Sequence, residues 1–233
     1  MCKNNLKSEP VPIQVMAHPL FKQWNQYITG FTPKDHQKFG GHHGLVHWIR
    51  VTQTALAFVK AYGITSERAL MLTEVAALLH DCGLIFGDDN HANTGASLAK
   101  LFLESSFSDE LCPAEIDLIC HAIKCHSGRE EIVNIYDAAV LFADKTHVDK
   151  SRVIVISDAI YAQEALINKV DFEITDDALY LRYDTDEGFD LRGFAEWKGA
   201  YEGPAKVADW MDKKFVFVVN GKEVDIAKIH NDD

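Results

Sequence analysis

Apolar residues recur every three or four positions through the first two thirds of the chain and alternate with polar ones in the last third. Leu45, Val46, Ile49, Thr52, Leu56 and Val59 fall at helical spacing, and Gly63 closes that segment. Ser66 is placed to cap a second helix, whose apolar face includes Leu70, Val75, Leu78 and Leu79 and which runs out at His80-Asp81. Gly83 is expected to supply the left-handed residue that stops it. Asn93 or Thr94 is expected to cap a helix through Leu98, Leu101 and Phe102. Pro113 opens the next, with Ile116, Ile119 and Ile123 inward and an end near His126. Residues 137–149 and 153–168 read as two more helices. Upstream, Pro19 begins a short helix through Leu20, Trp24 and Ile28, followed by a loop from Gly30 to Gly44. Residues 1–17 carry two prolines and little periodicity, and read as a loosely held lead-in.

The texture changes near residue 168. Residues 171–175 and 178–183 alternate around an Asp-Asp turn. Residues 215–219 and 223–226 flank Asn220-Gly221, a strong hairpin signal. Between them, residues 189–212 look helical, with a break expected at Gly203-Pro204. The pattern therefore predicts a mainly α chain: a lead-in over 1–17, a helical bundle over 18–168 and a small C-terminal α+β subdomain over 169–233.

Composition narrows the setting. The chain has 233 residues, a net charge of −12 and 47% hydrophobic residues, ordinary for a globular protein. No uninterrupted apolar run approaches eighteen residues, and the first ten residues lack an apolar signal core, so no membrane partner and a cytoplasmic address are expected. Five cysteines at no zinc-ribbon spacing read as free thiols of a reducing compartment. The acidic balance argues against a nucleic-acid surface but not against a small phosphorylated substrate, because a bound dication reverses the local charge. Eleven histidines are an excess that needs a reason.

The candidate ligands, in order, are His43, His47, His80, Asp81, His91, His121 or His126, and Asp144. His43 and His47, four apart, are expected on one helix face. His80 and Asp81 are adjacent, so their side chains point about 100° apart and share an ion only beyond the helix end. Asp144 lies within an apolar helix, where an unpaired carboxylate is costly unless a cation offsets it. Neutral imidazoles with carboxylates suit Mn, Fe, Co, Ni or Zn. Such a set leaves positions for water, whose pKa then falls toward neutrality. His121 reads as a surface or packing residue, because it diverges from His126 by about 140°. His147 reads as an ordinary surface histidine. His43 stays open between ligand, proton shuttle and polar loop residue.

The segments His43-Gly-Leu-Val-His47-Trp-Ile-Arg-Val, Leu-Leu-His80-Asp81-Cys-Gly and Ala-Val-Leu-Phe-Ala-Asp144-Lys, in this order and spacing, resemble the HD superfamily of metal-dependent phosphohydrolases. His91-Ala-Asn-Thr-Gly95-Ala96 and Ala122-Ile123-Lys-Cys-His126 resemble two further segments of that family. The resemblance covers residues 40–152. It implies that His47, His80, Asp81 and Asp144 hold one metal ion, and that His91 and His126 hold a second in dinuclear members, with Asp81 bridging. It implies hydrolysis of a phosphoester of a nucleotide or another small phosphorylated metabolite. Asp81 would also help to deprotonate water, and Lys145 would neutralise developing charge. Departures are visible: Leu84 stands where a lysine often follows the His-Asp turn, Cys125 replaces one of a histidine pair, and Ser127-Gly128-Arg129 replaces the signature of cyclic-dinucleotide phosphodiesterases. An oxygenase that fills the same ligand set with two irons, and a non-catalytic regulatory module, are the competing readings. The tail's hairpin edges are open to two uses, a homodimer by strand pairing or a cover over the pocket.

Overall fold

A computed structural model describes residues 9–31, 42–87, 90–153, 156, 159–192 and 199–225. Most of the expected Gly30–Gly44 loop, Cys2 and Ile226 lie outside these residues. Two compact units emerge, one within 1–31 and 43–144, the other within 32–42 and 145–233.

The first unit is helical. Its elements are α1 (Val11–Ala17), α2 (Pro19–Thr29), α3 (Leu45–Ala61), α4 (Glu67–Leu79), a 3-10 turn at Cys82–Phe86, α5 (His91–Ser106), α6 (Pro113–Cys125) and α7 (Ile135–Thr146), the last crossing into the second unit. The expectation of a loose lead-in fails at α1. Val11 and Val15, one turn apart, are both buried, and Pro12 sits in the first turn, where its missing N–H costs nothing. Helix α4 is central, packed against α1, α3 and α6. Seven of its thirteen residues, all between Leu72 and Leu79, are buried, and Glu67, Leu70, Met71 and Glu74 form its less buried side. The stretch Glu67–Phe86 is long and apolar enough to cross a membrane by length and composition alone. Two thirds of its most apolar window (67%) is buried inside the protein, as befits a core helix. Trp48, Phe58 and Phe142 are all fully buried, with the Phe58 and Phe142 rings 4.8 Å apart.

Three local expectations need correction here. Gly83 is not left-handed; that conformation falls to Gly87, with φ 66°, at the end of the 3-10 turn. Helix α5 starts at His91 with Asn90 at its cap position, earlier than Asn93 or Thr94. Helix α3 starts after Gly44, whose extended backbone (ψ −165°) leaves His43 off the helix.

The second unit contains a 3-10 turn at Lys150–Arg152, α8 (Ala159–Glu164), β1 (Ile167–Ile174), β2 (Ala178–Thr185), α9 (Gly199–Trp210), β3 (Lys214–Val219) and β4 (Lys222–Val224). The sheet order is β1-β2-β3-β4, antiparallel, parallel, antiparallel. The parallel β2–β3 pair needs a crossover, and α9 provides it by packing on β3 and β2. Asn220 and Gly221 both take positive φ (48° and 77°), as a two-residue hairpin turn requires. Among the described residues of the expected 153–168 helix, α8 takes 159–164, and β1 already starts at Ile167, which pairs with Thr185 across the sheet; residues 154, 155, 157 and 158 lie outside the described residues. Pro204 does not break α9; it lies inside the helix, buried together with Gly203. The chain is thus mainly α with a small α+β part, as its pattern predicts.

Candidate metal centre

Each candidate ligand is presented by a different element of the first unit, and their convergence rests on α4. That helix delivers His80 at its C-cap, still helical at φ −54° and ψ −38°, and the chain then turns so that Asp81 (φ −99°, ψ 5°) points elsewhere. His47 comes from the first turn of α3, His91 from the start of α5, His126 from the C-cap of α6, and Asp144 from the last turn of α7.

These side chains meet around one carboxylate. Asp81 Oδ2 lies 3.4 Å from His47 Nε2 and 3.3 Å from His80 Nε2. Asp144 Oδ1 closes that side, 3.2 Å from His47 Nε2 and 3.7 Å from His80 Nε2. The other oxygen, Oδ1, lies 3.7 Å from His91 Nε2 and 3.5 Å from His126 Nε2. Within each histidine pair, His47 with His80 and His91 with His126, the Nε2 atoms stand 3.1 Å apart. Ligands bound at 2.0–2.2 Å around one ion are separated by roughly 3–3.5 Å, so both sets have the dimensions of a coordination shell.

The hydrogen bonds behind the rings settle which nitrogen faces inward. His80 Nδ1 stands 2.7 Å from the Ala77 carbonyl, and His126 Nδ1 bonds the Ile123 carbonyl. A carbonyl only accepts, so both Nδ1 atoms donate, and in the neutral ring Nε2 is left bare. A bare imidazole nitrogen facing a carboxylate oxygen is repelled by it, and a shared cation satisfies both. The residues present therefore fit a divalent metal ion.

Electrostatics point the same way. Burial opposes the charge on Asp81, but His80 and His43 beside it outweigh burial and hold it well below the usual carboxylate range. Burial likewise opposes charge on His80, but Asp81 and Asp144 outweigh it and raise the pKa. A proton and a metal ion thus compete for the same nitrogen. Burial lowers His91 to about 4, keeping it neutral and able to ligate. Solvent reaches the cluster at His91, which is 24% exposed while the other proposed ligands are at most 8% exposed.

His43 is buried, with Nδ1 only 2.6 Å from Asp81 Oδ2. The four-residue spacing to His47 was its only signal in the sequence. His121 is outside the cluster, its Nδ1 2.9 Å from Asp137 Oδ1. His147 is buried rather than on the surface, its Nε2 3.1 Å from Ser151 Oγ. Lys145 follows Asp144 in the last turn of α7, half-buried. Cys82 is buried, its thiol pKa pushed up by burial and by Asp81, and its Sγ lies 3.4 Å from the Gly95 carbonyl; it is an inert packing group.

Two glycines fix α5 against the His-Asp turn. A Cβ on Gly83 would lie 2.0 Å from the His91 carbonyl oxygen and 2.5 Å from Gly95 N. The Gly83 position thus lets the start of α5, and His91 with it, come in against backbone.

The family profile described as HD domain matches residues 44–149. No curated protein matches the chain. The match begins one residue after His43 and takes in His47, His80, Asp81, His91, His126 and Asp144. Residues 44–149 therefore carry an HD-domain match, consistent with the HD-domain superfamily.

Proposed function

We propose that this chain is a metal-dependent phosphohydrolase acting on a nucleotide or another small phosphorylated metabolite. The observation that supports it is the split of Asp81 between two histidine pairs, Oδ2 toward His47 and His80, Oδ1 toward His91 and His126. His47, His80, Asp81 and Asp144 would hold one ion, and His91 and His126 with Asp81 would hold a second, from among Mn, Fe, Co, Ni and Zn. When bound, divalent ions supply Lewis acidity at a phosphoryl oxygen and lower the pKa of water toward neutrality.

The protein's own contribution is positioning. The Ala77 and Ile123 carbonyls fix the tautomers of His80 and His126, so their Nε2 lone pairs stay aimed at the site. Asp81 would help to deprotonate the attacking water, and Lys145 would offset charge developing on the phosphoryl group. His91, at the exposed side, borders the route by which a small substrate enters. Four free cysteines among the described residues fit a cytoplasmic setting.

Metal analysis of natively purified protein, together with a panel of nucleotides and phosphoesters read by phosphate release, tests the proposal. Asp81→Ala is expected to abolish turnover and keep the helical circular dichroism. Retained turnover in that variant would reject it. Iron content with oxygen consumption and no phosphate release would favour the oxygenase reading instead.

A further inference from the structure

We infer that His43 is a positioning residue that holds the Asp81 carboxylate as a bridge between the two ion sites, rather than a ligand itself. This deepens the two-ion reading and rests on it. The contact lengths separate the roles. His47, His80, His91 and His126 approach the Asp81 oxygens at 3.3–3.7 Å, the spacing of atoms that share an ion. His43 Nδ1 approaches Oδ2 at 2.6 Å, too close for two ligands of one ion but right for a charge-assisted hydrogen bond. Ionised Asp81 has no proton to give, so Nδ1–H donates.

The placement suits that task. His43 precedes the helix, ahead of the extended Gly44, and meets the same Oδ2 that faces His47 and His80. Its ring lies 5.2 Å from that of His47, 76° out of plane, so the two imidazoles are not stacked in parallel. A carboxylate without this tether can turn about its own axis and present both oxygens to one ion, which dissolves the bridge. Losing a hydrogen-bond partner of this kind lowers metal affinity by about 10- to 100-fold.

The test uses Mn(II) with the full-length chain. Calorimetry reads the affinity for each ion, and electron paramagnetic resonance reads the spin coupling that a bridging carboxylate produces. In the wild-type chain, two ions and a coupled signal are expected. His43→Leu, which removes the donor, should weaken the second ion by about tenfold or more and abolish the coupling. His43→Asn, whose amide nitrogen replaces Nδ1, should restore both. Wild-type affinity and coupling in His43→Leu would overturn the inference, as would a His43→Asn chain no better than His43→Leu, the result expected of a lost ligand. Should His43→Leu fail to fold, His43→Asn decides alone: coupled ions support the bridge role, and loss of coupling overturns it. A wild-type chain that takes one ion or none would overturn the two-ion reading beneath, a result distinct from either.

Discussion

Gly83 and Gly95 meet backbone to backbone: a Cβ built on Gly83 would sit 2.5 Å from Gly95 N, and one on Gly95 would sit 3.1 Å from Gly83 N. The two positions are unequal. At Gly83 the obstacles are main-chain atoms, including the His91 carbonyl at 2.0 Å, which cannot give without moving α5. Gly83→Ala should cost about 3 kcal/mol or more, at the upper end of overpacking penalties. Gly95→Ala should cost about 1 kcal/mol. Urea denaturation of both variants checks the ranking, and equal costs would contradict it.

Removing one histidine pair should leave the other ion in place. His126→Ala is expected to lower the stoichiometry from two ions to one, because His91 and a single Asp81 oxygen are too few ligands to hold an ion tightly. Asp144→Asn is expected to weaken the opposite ion. Elemental analysis after dialysis counts both.

Glu115 gives a pH signature outside the ligand cluster. Its carboxylate accepts two hydrogen bonds from Arg68, each 2.6 Å, and one from the Cys112 N–H at 2.9 Å. The Arg68 bond foremost lowers its pKa from 4.5 to about 2. A folded-state pKa below the unfolded one stabilises the fold above about pH 4.5, and that gain is lost as pH falls toward about 2. Glu115→Gln should therefore cost about 1 kcal/mol at neutral pH, where it also loses the capping-box carboxylate, and almost nothing near pH 2. Thermal melts at the two pH values measure the difference.

Phe142 stands two residues before Asp144, fully buried against Phe58. Phe142→Ala should cost about 3–5 kcal/mol, read by chemical denaturation with metal removed. A cost below about 1 kcal/mol would mean that the site collapses readily around the lost ring.

The chain wrote its helices plainly because one-sided burial imposes a 3.6-residue period, and the sheet plainly because Asn220-Gly221 admits few alternatives. The residues that converge at Asp81 were legible as types at suggestive spacings. The partition of Asp81 between two histidine pairs was legible only through the family resemblance and not from spacing, because it depends on where α5 and α6 deliver His91 and His126 in space. Gly83 was misread for a related reason. Sequence shows that a residue lacks a side chain, but not whether backbone strain or a neighbouring main chain demands it. His43 was ambiguous because an extended Gly44 and a continued helix place it differently, and local pattern does not choose between them. The helix at Val11–Ala17 was missed because its stability comes from packing on α4 and not from its own short sequence.

His80 and Asp81 take their bearing from α4, which is wedged on several sides and so cannot slide or turn. The angular phase of that rod is therefore part of the chemistry. One residue inserted between Leu72 and Leu79 would advance the pair by about 1.5 Å and swing it by about 100°, while the same insertion at Gly63, which stands clear of neighbouring atoms, would leave it aimed as before. Length changes during the protein's history should accordingly gather in the connector and spare the rod.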